Sequence, residues 1–414
     1  AINNKSAAAF GQANWHFSDD LTLTTGLRFT REDRSNLAST YIRDQGNAPE
    51  LNPVVVNNVQ LGGFDSNATG VLAASNSATQ LALADTVANK YFGTALTATP
   101  GAAYNSLTAT QKRQVANAKA LRQAQIGVLF QETNLDKFEE TQPSWVFSPS
   151  YKINNNVTTY LALQHGEKAG ISQATNGISN KVKAEKTDAY EIGLKSTLLN
   201  NTFIFNAALF RMDITDYQQS SQILDVYTTA QNNNGIISYT SATANIPKVR
   251  SQGLEIDSIY NGIEHLSLRF AGAYTDAKYV EFLNAAQPVE LGNLAGNQPY
   301  RDISGEQLPG ASKISFNIGA DYRLPVFNDK EFHASVNTLY TGKFNSDNAL
   351  SSYGWIPAAY STDLSVGLGN RKGNFDVNLV VKNVFDDDTP RSKTWNSYTP
   401  AVSRWVGITF SGRL

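Results

Sequence analysis

Between Phe375 and Lys382 the chain alternates: Phe375, Val377, Leu379 and Val381 occupy one parity, and Asp376, Asn378 and Lys382 the other. Successive side chains of a strand point to opposite faces, so a period of two spells a strand with one greasy and one wet side. Phe385 extends the apolar parity, while Val380 and Val384 are exceptions on the wet one. The strand stops at Asp386-Asp387-Asp388-Thr389-Pro390, which is turn chemistry. A last segment, Arg404 to Leu414, places Val406, Ile408, Phe410 and Leu414 on its apolar face, with Arg404, Thr409, Ser411 and Arg413 polar. Two strands patterned this way at a C-terminus have the form of the closing hairpin of a membrane barrel, where only every second residue meets lipid.

The same alternation recurs along the chain. Ala9 to Phe17 and Leu21 to Phe29 flank Ser18-Asp19-Asp20; Trp145 to Ile153 and Val157 to Leu163 flank Asn154-Asn155-Asn156. Lys186 to Ser196 and Phe203 to Leu209 flank Leu199-Asn200-Asn201, and Val249 to Tyr260 and Leu266 to Ala277 flank Asn261-Gly262. Lys313 to Arg323 and Phe332 to Gly342 flank Pro325 to Lys330, and Ala359 to Leu368 leads through Gly369 to Gly373 into the Phe375 strand. That predicts about thirteen antiparallel strands. One set of turns is short; the alternate set is long, at 166–185, 215–246, 278–311, 344–357 and 386–401. Loop length segregated by side is the pattern of a transmembrane barrel.

Composition excludes several classes. A net charge of -2 argues against a nucleic-acid partner. The absence of cysteine rules out disulfides, thiolate metal sites and a Cys nucleophile. No apolar run of about 18 residues is present, so no transmembrane helix is expected, but a barrel escapes that test. Residues 1 to 15 carry no basic-then-apolar signal peptide and run straight into a strand, so a mature or truncated segment is expected.

Residues 35–141 break the alternation, dividing the chain into strands at 1–34, an insert at 35–141 and strands again at 142–414. Ser77-Ala78-Thr79-Gln80 and Thr108-Ala109-Thr110-Gln111 have capping-box spacing and predict two helices. Leu81, Ala84, Val87, Ala88 and Tyr91 share one helical face; Val115, Ala118, Leu121 and Arg122 share another. A connection this long is functional or disordered in most proteins; in a barrel it is an extracellular loop.

Several stretches resemble the TonB-dependent outer-membrane receptors: "VKNVFD" with the final "RWVGITFSGRL", "FGQANWHFSDDLTLTTGLRFTRED", "EKTDAYEIGLKSTLLNNTFIFNAALFRMDITDYQ", and Ser251-Gln252-Gly253-Leu254-Glu255 against a Ser-x-Gly-x-Glu strand. Val384 stands where that family has Leu, and Leu414 where it ends in an aromatic. The resemblance implies an all-β fold, an antiparallel barrel of 22 strands around an N-terminal plug. This chain would supply the C-terminal thirteen or so, with the plug, the coupling segment and about nine strands outside it. It further implies a multi-pass protein of the bacterial outer membrane, embedded in lipid. Its function would be active uptake of a scarce small-molecule ligand (siderophore-iron, haem, cobalamin or oligosaccharide), driven by the inner-membrane TonB energy-transducing complex through the plug. The alternative is a passive porin-like or fatty-acid-type channel, which would require the first strand to pair with the last. A barrel enzyme would require a Ser–His or Asp–His pair converging at the rim, and no such spacing is visible in the sequence.

No catalytic residues, cofactor or metal site are therefore expected. His16, His165, His265 and His333 sit in or beside strands without a short-spaced metal partner. Asp386-Asp387-Asp388 reads as a solvated turn before a cation site. Gly166-Glu167-Lys168-Ala169-Gly170 lacks the ending and helix of a phosphate loop; the resemblance, in which a similar Gly-x-Lys-x-Gly stretch tops a strand, implies a structural role. Arg28, Lys195, Arg211, Arg269, Arg323 and Lys382 fall on polar faces or strand ends and are expected at the lumen or a rim, because charge on a lipid face costs about 2–4 kcal/mol at midplane. For ligand contact the long loops offer Tyr300, Arg301, Tyr353, Trp355, Trp395 and Tyr398: aromatics stack on rings and arginine pairs with carboxylates.

Overall fold

The structure, a computed structural model, describes residues 2–42, 46, 48–232, 235–292, 294, 298–327, 329–370 and 374–412. Most of the expected turn at Gly369–Gly373 and the terminal Arg413 and Leu414 lie outside the described residues. Thirteen long strands follow one another: β1 (Ile2–His16), β2 (Leu21–Thr40), β3 (Phe138–Asn154), β4 (Val157–Lys168), β5 (Glu185–Leu198), β6 (Phe203–Leu224), β7 (Tyr239–Ile263), β8 (Leu266–Glu281), β9 (Ile314–Pro325), β10 (Lys330–Thr341), β11 (Ala359–Asn370), β12 (Phe375–Lys382) and β13 (Trp405–Gly412). Each pairs antiparallel with the next, and a short strand, Phe130–Asn134, adds to the far end of β2 to make a 14-stranded sheet. Among the described residues β1 pairs only with β2 and β13 only with β12, so the sheet is an open wall.

All connections at one end are tight: 17–20, 155–156, 199–202, 264–265, 326–329 and 371–374. Their chemistry is local. Ser18 Oγ accepts from the Leu21 N–H at 3.0 Å, Asn154 Oδ1 accepts from the Asn156 N–H at 2.8 Å, and Leu199, Asn200 and Asn201 all take positive φ. One expected turn moves. β7 runs through Asn261-Gly262 because the Asn261 N–H donates to Thr202 O at 2.8 Å, and the chain reverses instead at Glu264-His265, with His265 at φ 66°. At the other end all connections are long, but one, 225–238, is shorter than expected and is a correction. The ladder between β6 and β7 resumes after Asp216 (φ 53°) and runs from Tyr217↔Ile246 to Leu224↔Tyr239, so most of 215–246 is strand. Gln218 to Ser221 put polar residues on both faces there, which hides a strand from any reading of periodicity.

Register separates the wall into two faces. One cross-strand row reads Leu161, Ile192, Leu209, Leu254, Tyr274 and Ile314; another reads Leu268, Ala320, Val336, Leu364, Val381 and Val406. Ile192, Leu209, Ile318, Leu379 and Ile408 on this face are 48–61% exposed. A continuous apolar face of this size needs an apolar partner phase. Aromatics bracket it. Phe203, Tyr260, Tyr322 and Phe332 lie near the tight turns, and Tyr274, Phe316, Tyr340 and Tyr360 near the long loops. Phe316, Tyr340 and Tyr360 stack in series with ring centroids 4.8 Å apart. On β10 the stretch from Phe332 to Tyr340 spans about 20 Å of height after strand tilt, close to the apolar band of about 25 Å in membrane barrels. The other face is wet: Arg269 pairs with Asp321 at 2.7 Å, Arg323 with Glu331 at 2.8 Å, His333 with Asp376 at 2.7 Å and Lys382 with Asp363 at 2.8 Å.

The longest connection folds as a small module. α1 (Ala78–Phe92) and α3 (Ala109–Ile126) both begin with complete capping boxes, Ser77 with Gln80 and Thr108 with Gln111; α2 (Ala102–Asn105) lies between them. The core is Phe64, Ala84, Val87, Ala88, Tyr104, Leu107 and Val115. Asp85 fixes the bend by accepting from the Gly101 and Tyr104 N–H groups at 2.6 and 2.8 Å. Burial pushes the Tyr104 phenol up to about 12. The face expected on α3 is only partly used: Val115 is buried but Leu121 is 69% exposed. β2 continues to Thr40 and β3 starts at Phe138, so the backbone ladder outlasts the alternation that marks it in the sequence.

Candidate ligand-facing loop site

The long-loop end carries two small hairpins. Phe344–Asn345 pairs with Trp355–Ile356, and Ser392–Lys393 pairs with Tyr398–Thr399. The hairpins pack against one another, and Ser346 Oγ both donates to Lys393 O and accepts from the Lys393 N–H, each at 2.9 Å. Four of the six expected contact residues ride on this pair: Tyr353, Trp355, Trp395 and Tyr398, all 45–66% exposed. Lys343 Nζ sits 5.4 Å from the centre of the Trp355 ring. The hairpin pair thus carries exposed aromatic side chains as a ridge, with an ammonium group beside Trp355; aromatic faces can stack on planar or ring-bearing groups, and a cation can offset negative charge.

The β12 end builds the base of this ridge. Lys382 pairs with Asp363, whose other oxygen accepts from the Asn383 N–H at 3.0 Å. Asn383, at φ 51°, donates to Asp387 O and Val402 O and accepts from the Asp387 N–H. Asp386 accepts from the Arg404 N–H at 2.7 Å, and Asp387 accepts from the Thr389 N–H at 2.8 Å. Burial opposes the Asp387 carboxylate, but the hydrogen bonds from Thr389 prevail and hold its pKa below the usual value. The aspartate run is thus a turn scaffold.

Tyr300 and Arg301 differ from the other four in their contacts. Tyr300 packs against Tyr239 with tilted rings, centroids 5.0 Å apart, and is half-buried. Arg301 Nη2 donates to Ala349 O at 2.6 Å and Leu350 O at 3.2 Å. It is a clasp between the 282–313 and 342–358 connections. Glu290 is the second clasp, and sequence reading missed it: its carboxylate accepts from Ser351 Oγ and from both the N–H and Oγ of Ser352, at 2.7–3.0 Å. Nothing local in Val289-Glu290-Leu291 signals a partner sixty residues away.

The family model for the β-barrel of TonB-dependent receptor-like proteins matches residues 51–384. The chain belongs to the TonB-dependent receptor family. Among solved structures it resembles the ferric yersiniabactin uptake receptor FyuA from Yersinia pestis, at 13% identity over 98% of this chain and 45% of that one, with a TM-score of 0.60. The siderophore receptor PiuA from Acinetobacter baumannii matches at 14% identity, covering 98% and 42%, with a TM-score of 0.59. The ferric-catecholate import receptor Fiu from Escherichia coli K12 in its closed form matches at 15%, covering 99% and 44%, with a TM-score of 0.56. The chain therefore spans less than half the length of these three receptors.

As a TonB-dependent receptor wall, the sheet sorts its charges as barrel physics requires. Lys195 lies over the Tyr160 ring at 5.4 Å on the wet face, with Asn206 opposite it in the register. Arg211 falls on the outward parity, but beyond the apolar rows, where Asp213 bridges it at 2.9 Å and Arg250 at 2.7 Å. Gly170, in the discounted glycine stretch, is structural: a Cβ there would strike the Phe138 ring, and its carbonyl accepts from Arg34 Nη1 at 3.1 Å. Two Asp–His pairs that the spacing hides do form, His165 with Asp188 and His333 with Asp376, both at 2.7 Å. Long-range register makes them, and among the described residues the hydrogen bonds of these histidines go to carboxylates: Asp188 and Glu167 for His165, Asp376 for His333. His16 bonds Thr22 Oγ1 at 2.9 Å, and His265 faces Glu264 at 3.3 Å.

Proposed function

We propose that this receptor wall serves TonB-dependent import of a ferric siderophore across the bacterial outer membrane. The observation that carries the reading is the exposed aromatic ridge of Tyr353, Trp355, Trp395 and Tyr398 with Lys343, held on clasped loops at the long-loop end of a wall whose opposite face is apolar. Ferric siderophore complexes are ring-rich and often anionic, and aromatic faces with a cation suit them. The resemblance to a ferric yersiniabactin uptake receptor, a ferric-catecholate import receptor and a siderophore receptor supports the ligand class by analogy. The ligand binds at the ridge; the two clasps hold the 282–313 and 342–358 connections as one body. The outward face sits in lipid. The bare edges of β1 and β13 pair with further strands of the same barrel, because an unpaired edge strand is an aggregation hazard. Energy comes from the inner-membrane TonB complex acting through a plug inside the barrel. The passive-channel alternative needs β1 hydrogen-bonded to β13, and each has its single partner elsewhere.

The test is uptake of iron-labelled siderophores by cells carrying the receptor. Uptake is expected to stop when the proton gradient is collapsed or TonB is removed. Trp355→Ala with Trp395→Ala is expected to raise the Kd about tenfold or more, since a stacked aromatic contributes about 0.5–1.5 kcal/mol beyond its buried area. Flux that persists without TonB would leave the passive channel standing. Deleting residues 40–135 tests the helical module separately; unchanged uptake would remove it from the transport cycle.

A further inference from the structure

The helical module contains a cleft that the transport reading leaves without a role. It lies between residues 53–68 and α3 and encloses about 730 Å³. Phe64 and Ala120 form part of its floor; Ser66, Asn117, Lys119 and Gln123 provide polar groups.

Lys119 is the unusual member. Its ammonium lies 3.9 Å over the Phe64 ring, donates to the Phe64 carbonyl and has Ser66 Oγ at 3.5 Å. Among the described residues it forms no ion pair; Asp65 acts on it only at longer range, and burial pushes the amine down to about 8. A desolvated cation without a counter-ion is costly, and an entering anion would relieve that cost. Two exposed amides, Asn117 and Gln123, stand on the same wall, and their side chains hold no partner among the described residues. Each amide offers both donors and an acceptor, the complement of a hydroxyl pair. The volume suits a small polar ligand.

We propose that this cleft binds a small hydroxylated carboxylate of the hexuronic-acid class, with the carboxylate on Lys119 and the hydroxyls on Asn117 and Gln123. Such a site gives the receptor a second recognition surface, built wholly within one connection and independent of the aromatic ridge.

The test is calorimetric titration of the full chain in detergent with D-glucuronate, with D-glucose as the uncharged control. Saturable glucuronate binding is expected, weakening about tenfold between about pH 7 and about pH 9 as Lys119 loses its proton. Asn117→Ala with Gln123→Ala is expected to weaken binding about tenfold; both side chains are exposed, so the module keeps its fold, which the helical circular dichroism of the variant verifies. Lys119→Gln is expected to abolish binding. Glucose binding as tightly as glucuronate, an absent saturable heat, or affinity unchanged in these variants would each overturn the assignment. Binding is read without transport, so failure here leaves the import reading untouched.

Discussion

Leu379 and Val380 are neighbours of equal greasiness, and the register assigns them to opposite worlds. Leu379 lies mid-way along β12, 48% exposed, with Val366 of β11 and Ile408 of β13 beside it. Val380 turns inward and lines a wet concavity with Asp363, Ser365 and Lys382. If the outward face meets lipid, Leu379→Arg places a guanidinium near the bilayer midplane at a cost of about 2–4 kcal/mol. That is roughly a 30- to 900-fold loss in the folding equilibrium. Val380→Arg meets water and carboxylates, and is expected to stay within about 0.5 kcal/mol of the parent. The assay is urea-dependent folding of the receptor into lipid vesicles, read by tryptophan fluorescence and by heat-resistant mobility. Equal costs for both variants, or a larger cost at Val380, would refute the assignment of faces. A neutral Leu379→Arg would refute the membrane itself.

Other consequences follow from particular contacts. Ser77→Ala or Thr108→Ala removes a capping box and is expected to cost the helical module about 1 kcal/mol each, seen as faster amide exchange in α1 or α3. Arg301→Ala unties the 342–358 connection from its neighbour and is expected to expose it to limited proteolysis while strand protection is unchanged. Burial disfavours the Glu290 carboxylate, but its backbone bonds and those from Ser351 and Ser352 outweigh that and hold its pKa below the usual carboxylate value. The sign follows: the Glu290 clasp is complete above pH 4.5 and is lost as pH falls through the lower folded value. Amide exchange at Ser351–Ser352 should therefore rise in acid, and Glu290→Gln should remove that pH step.

What was legible in the sequence was whatever is written within a few residues. The period of two needs only alternate side chains, so the wall, its strand number and its two faces could be read from Phe375–Val381 and its repeats. Ser77 and Thr108 announced their helices because a capping box closes within four residues. That Tyr353, Trp355, Trp395 and Tyr398 lie in the long loops was legible because the alternation already separated long loops from short turns. Tertiary structure alone decided the rest. It extended β6 and β7 through the polar 217–224 and 239–246 segments, where backbone pairing persists without an apolar face to mark it. It tied Arg301 and Glu290 into clasps, because both depend on carbonyls and hydroxyls some fifty to sixty residues away. It brought His165 to Asp188 and His333 to Asp376 across strands. A strand's sequence specifies which side of the sheet each residue takes; which residue stands opposite it is set by register and loop length, and these exist only once the whole wall has assembled.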